Sequence, residues 1–164
     1  MWIITLIAII ASLTGYASMT SQIALAEVEE TARVTSFATN MASYRFGVIK
    51  FVNDPSHSAF SGQVTAPSFP TGYAALSPPE WRNAVLADGT VIVCSVGISP
   101  PGLIKGITTL AQGSVLAGRA NTLTGKIEAP GTVSADQIAL PDTSAVAGFA
   151  PITNGAAIWL AHRE

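Results

Sequence analysis

The side chains of this 164-residue chain best suited to chemistry are one cysteine, Cys94, and two histidines, His57 and His162. A thiol nucleophile needs a base within hydrogen-bond reach, and a metal centre needs several ligands at short, regular spacing. The two histidines lie 105 positions apart, and neither stands at ligand spacing from the cysteine. A single cysteine excludes an intrachain disulfide. It sits in the apolar run Val91-Ile-Val-Cys-Ser-Val96, where a buried, inert thiol is expected. His57 belongs to a polar Asn-Asp-Pro-Ser-His-Ser loop, and His162 alternates with Leu160 and Ile158 on one strand face. Gly113-Ser-Val-Leu-Ala-Gly118 mimics the start of a phosphate loop, but Arg119 replaces the lysine and Ala120 the magnesium-binding hydroxyl. The stretch before it, Leu103 to Gln112, does not read as a strand, so a turn leading into a strand is expected. Ser99-Pro-Pro-Gly102 could invite a proline-recognising partner, yet turn geometry explains it without one. The reading is therefore a non-enzyme, with no catalytic, cofactor or metal site and no small-molecule substrate. Net charge is −2 with no basic run, which gives nucleic-acid binding no electrostatic support.

What remains is binding, and the elements that would position it begin at the N-terminus. Met1 to Ala26 carries no charged side chain; Glu27, Glu29 and Glu30 follow at once. A helix rising about 1.5 Å per residue crosses a ~30 Å hydrocarbon core in roughly 20 residues. The expected element is a transmembrane anchor over residues 1–26. The alternative is a signal peptide cleaved after Ala24-Leu25-Ala26, which would free a secreted binding domain. It lacks a basic n-region, because no Lys or Arg precedes Arg33. For the same reason, charge alone does not code the orientation.

Beyond the anchor, Val34, Phe37, Met41, Tyr44, Val48 and Phe51 recur at spacings of 3 and 4. Arg33, Ser36, Asn40, Ser43, Gly47 and Lys50 run in step on another face. This pattern predicts an amphipathic helix over residues 27–52. Asn53-Asp54-Pro55 stops it, since proline cannot continue a helix. The result is one nearly continuous helix from Trp2 to Val52, about 75 Å long if straight. The stripe either packs on the chain's own globular part, the favoured reading, or forms a seam with a partner. Phe37, Met41 and Tyr44 are the interface candidates.

Residues 53–164 suffice for one small core. Ala59 to Ala66 reads as a short strand. Ser77-Pro-Pro-Glu80 has the form of a capping box, so Pro78 to Leu86 is predicted as a short helix turning Trp81, Val85 and Leu86 inward. Thr90 to Val96 is the strongest strand candidate. Leu103, Ile104, Ile107 and Leu110 fit a helix. Val115 to Asn121 and Thr124 to Glu128 pair as strands. Asn154-Gly155 signals a hairpin leading into a last strand, Ala156 to His162. The predicted class is α+β: a long N-terminal helix, then a small, mostly antiparallel sheet domain.

That order of parts resembles type IV pilins and pseudopilins. The opening departs from them, for Met1 leads directly into Trp2-Ile3-Ile4-Thr5, without a basic leader or the glutamate at the fifth mature position. A closer resemblance is to the PilM family of thin (type IVb) pilus systems found on conjugative plasmids and pathogenicity islands. It is carried by the opening MWIITLIAII, the Ala/Glu-rich turn at residues 26–30, the stretch from Asn40 to Val52 (NMASYRFGVIKFV) and the ending around Thr153-Asn154-Gly155. The resemblance implies a single-pass protein of the bacterial inner membrane with a periplasmic C-terminal domain. It would belong to the pilus basal body or pilin-export apparatus, with the membrane and other basal-body or pilin proteins as partners. A homo-oligomer and a minor-pilin fibre subunit are further options.

Overall fold

The computed structural model describes residues 2–76 and 79–164, with side chains from Leu25 onward apart from Ser134. The chain divides into two compact units, residues 1–33 and 34–164. Helix α1 runs Trp2–Val52, as the periodicity and the Asn-Asp-Pro stop require. The expected anchor falls mostly on residues 1–24, whose side chains lie outside the described part. Among the described residues, no helix is long and apolar enough to cross a membrane. In the first unit, Arg33 and Glu30 pair at 3.1 Å across one helical turn, with both side chains exposed.

The second unit is the C-terminal part of α1 together with a five-stranded sheet. The strands are β1 (Trp81–Val85), β2 (Thr90–Ser95), β3 (Ala117–Asn121), β4 (Lys126–Glu128) and β5 (Ala157–His162), in spatial order β1-β2-β5-β3-β4. Every pairing is antiparallel. Helix α2 (Leu103–Leu110) connects β2 to β3. Alternate residues of each strand face opposite sides, so two apolar layers form. On one side Val91, Val93, Ala157 and Trp159 meet Met41, Val48 and Val52 of α1 and Leu103 and Ile107 of α2. On the other, Ile92, Cys94, Ile127 and Ile158 are covered by Val146, Phe149 and neighbouring loop residues. Arg82 fastens that loop: its guanidinium lies 4.8 Å over the Phe149 ring and donates to the Ala150 and Pro151 carbonyls at 2.7 Å each.

Three expectations are corrected. The segment expected as a helix from Pro78 to Leu86 is instead strand β1 over Trp81–Val85; Ser77 and Pro78 lie outside the described residues. Trp81 and Val85 do turn inward, but with a period of two, in register with β2. Partners on both faces and along the edge outweigh a local capping signal. Ala59 to Ala66 forms no strand; its backbone pairs with the sheet at one isolated bridge, between Gly62 and Val85. The Asn154-Gly155 turn joins no hairpin. It ties strand ends together instead: Gly155 N–H donates to Ala120 O (2.8 Å), and Thr122 N–H donates to the Asn154 side chain (3.0 Å).

Hydrogen bonds around the Glu128 carboxylate close the β3–β4 pair. Glu128 accepts from Asn121 Nδ2 (2.6 Å) and from Arg119 Nη2 (2.6 Å). These partners, the amide first, hold its carboxyl below the usual carboxylate range. A depressed folded pKa favours the fold above the unfolded value of about 4.3, and that contribution is lost as pH falls through the folded value. Glu128→Gln should therefore lose less stability than the wild type between pH 7 and pH 3, measured as the shift in urea midpoint.

Candidate functional site

The interface candidates on α1 come together on the chain's own sheet. Met41 is fully buried among Val48, Val91 and Trp159, and Phe37 and Tyr44 are half-buried at the margin of the same layer. The Phe37 ring meets Trp81 edge-on, with centroids 6.2 Å apart. Tyr44 meets Phe69 at 5.9 Å. The stripe thus follows the self-packing reading. The face expected to run polar beside it is also partly covered. Ser43 and Gly47 are buried, and a side chain on Gly47 would meet the Ser68 carbonyl oxygen at 2.5 Å. Gly47 is a place where another backbone comes too close for any side chain. Asn40 accepts a hydrogen bond from Trp81 Nε1 (2.8 Å) and donates to Ala74 O (3.1 Å).

Between this helix face, the crossing segment and the start of β1 lies a cleft of about 520 Å³, walled chiefly by Tyr44, Val64, Pro67, Phe69, Leu76 and Trp81. Its wall includes Asn83, which is 2% exposed. The Asn83 carboxamide accepts from Val64 N–H (2.8 Å) and donates to Val64 O (2.9 Å) and to the Tyr44 hydroxyl (2.7 Å). It acts as the missing strand partner for Val64 and joins α1 to the crossing segment through one side chain. Burial raises the Tyr44 phenol, and the Asn83 bond partly offsets this. Nothing in the spacing of Trp-Arg-Asn-Ala-Val marks Asn83 for such a role; the one sign is a short polar residue inside an otherwise β-compatible run. Arg45 was likewise not singled out by its sequence position. Its guanidinium lies 4.8 Å over the Trp159 ring and donates to Leu160 O at 3.0 Å.

The chemically reactive side chains stay apart. Cys94 is fully buried on the sheet face away from α1. Desolvation pushes its thiol up, partly offset by neighbouring Arg82. A thiol held protonated is a poor nucleophile. Cys94→Ala should cost about 1–2 kcal/mol or less. A bulky maleimide should leave the native wild-type thiol unlabelled over minutes. His57 stacks on Phe51 with centroids 3.8 Å apart, and its Nδ1–H donates to the Phe51 carbonyl (3.1 Å), closing the end of α1. His162 is exposed, with Nδ1 2.8 Å from Arg163 O. Gly113 lies in a turn between α2 and β3, the reverse of the strand–loop–helix order of a phosphate loop, and Arg119 is engaged by Glu128. Among the described residues, no three metal-ligating side chains lie together.

A family model described as PilM matches residues 8–160. The chain belongs to the PilM family. The fold agrees: a crystal structure of a protein described as PilM from Escherichia coli B7A superposes with a TM-score of 0.51 at 20% identity, covering 80% of this chain and 94% of that one. Similarity at that identity establishes the shared fold. No curated protein matches the chain. The geometry gives this PilM-family chain a mainly apolar cleft with a buried amide in its wall, and a helix face packed on a sheet face.

Proposed function

We propose that this PilM-family chain is an assembly component of a type IVb (thin) pilus, held in the bacterial inner membrane with residues 53–164 in the periplasm. It acts by protein–protein binding within the basal body or pilin-export apparatus. The observation that carries this reading is the family match over residues 8–160. The charge-free stretch from Met1 to Ala26 supports the anchor. A binding role is further supported by the separation of Cys94, His57 and His162 from one another. A second reading, a minor-pilin subunit built into the fibre, draws on the long helix whose C-terminal half packs on an antiparallel sheet.

The test is a chromosomal deletion combined with photocrosslinking in intact cells, from Phe46 and Ser36, exposed positions on α1. Loss of piliation on deletion, with capture of a basal-body or pilin protein at one of these positions, is the expected result. Normal piliation in the deletion strain would contradict it.

A further inference from the structure

The two most exposed large apolar side chains described in residues 34–164 are Leu123, at 88%, and Ile98, at 76%. They are far apart in sequence, yet the sheet brings their loops to one end. Ile98 follows the end of β2, and its Cγ2 lies 3.6 Å from where a side chain on Gly155 would begin. Ser99 N–H donates to Gly155 O (3.2 Å). Asn154, next to Gly155, accepts from Thr122 N–H (3.0 Å), and Leu123 comes next in the β3–β4 turn. Val96, 49% exposed, belongs to the same end. A single loop residue of this kind needs no explanation, but three on adjoining loops at one end of the sheet call for one.

The same end receives α1. Val34, the first residue of this unit, packs with Cγ2 3.1 Å from the Cβ position of Gly102 and Cγ1 3.4 Å from that of Gly106, at the start of α2. Phe37 lies on Trp81, whose strand partner is Ser95, the last residue of β2. The opposite end, where α1 stops and the Asp88-Gly89 turn lies, is tied by the Arg163 guanidinium to the Ser58 and Phe60 carbonyls. The apolar loops therefore project at the end joined to the N-terminal segment. Val34 is eight residues beyond Ala26, the last residue of the charge-free stretch. Eight residues hold it within about 30 Å of that stretch in any conformation. Lys105, exposed in the first turn of α2, stands at this end and suits a lipid phosphate; the acidic residues there are Glu80, bonded through its carbonyl to Val96 N–H, and Asp142, which lies beside Thr122.

We propose that this end of the sheet domain rests on the bilayer surface, with Ile98 and Leu123 entering the boundary between headgroups and acyl chains. This rests on the anchor reading above. A short tether keeps the patch at high local concentration beside the membrane, so weak insertion by two or three side chains suffices to hold the domain down. The domain would then present its cleft at a fixed height above the membrane.

The test uses the full chain in vesicles of phosphatidylethanolamine and phosphatidylglycerol, in a Cys94→Ala background. A fluorophore sensitive to polarity is placed singly by Ala8→Cys, Ile98→Cys, Leu123→Cys and Ala59→Cys, and lipids brominated near the headgroup or deep in the chain serve as quenchers. The expected result is deep quenching at 8, shallow quenching of severalfold at 98 and 123, and none at 59, which lies at the opposite end. Replacing the other patch residue by aspartate should reduce quenching at 98 or 123 at least twofold. Quenching at 8 without any at 98 and 123 overturns this inference and leaves the anchor standing. No quenching at 8 removes both. Absence of quenching in vesicles together with a protein crosslink from 98 or 123 in cells also overturns it, and assigns the patch to a protein partner.

Discussion

Asn83→Ala should destabilise the protein by about 3–5 kcal/mol. The carboxamide satisfies both backbone groups of Val64, which is 4% exposed, and the Tyr44 hydroxyl. Truncation leaves a buried N–H and a buried carbonyl without partners, and each such group costs about 1–3 kcal/mol. The loss should appear as a lower urea midpoint with an unchanged denaturant slope. Asn83→Asp discriminates further. It keeps an acceptor for Val64 N–H but removes both donated bonds and buries a carboxylate. Burial raises the folded pKa of such a group, so this variant should lose less stability in acid than at neutral pH. If Asn83→Ala melts like the wild type, Asn83 does not hold the crossing segment.

Met41→Ala should cost about 2–5 kcal/mol, as truncation of a fully buried side chain does when the surroundings cannot collapse into the space. The surroundings here are Val91, Val93 and Trp159 of a sheet held by antiparallel pairing, and Val48 about two helical turns along α1. Phe37→Ala should cost less, because Phe37 is half-buried and meets Trp81 edge-on. Ser36→Ala, on the exposed face, should stay within about half a kcal/mol. Equal melting of all three variants would mean that α1 does not pack on the sheet through this stripe.

These two residues also show where the sequence is legible. Met41 was readable because a helical face repeats every three to four residues, and the Asn53-Asp54-Pro55 stop is a local property of the backbone. Strand β2, helix α2 and the β3–β4 pair were readable for similar reasons: runs of β-branched residues, apolar periodicity and turn residues. β1 was not. Ser77-Pro-Pro-Glu80 carries a strong local helix-start signal, and only the register with β2 decides for a strand. Asn83 escaped notice because its partners lie 39 and 19 positions away, and its value depends on a backbone segment that forms no ladder of its own. The buried part of the expected polar face is hidden from the sequence for the same reason. Ser43 and Gly47 look like surface residues until the segment around Ser68 crosses them. Local signals fix elements, whereas the cleft is made by long-range crossings.

The account of function stands on membership of the PilM family and on an N-terminal segment without charge. The measurement that tests it most directly is fractionation of piliated cells followed by intact mass of the recovered chain. Sheared pili, soluble periplasm and carbonate-washed membranes are compared. An assembly component is expected in the washed membranes, retaining the N-terminal segment and absent from sheared fibres, because some 20 apolar residues insert far more strongly than any surface contact. A chain beginning at Glu27 in the soluble periplasm, or one recovered in the fibres after loss of a short leader, would contradict the account.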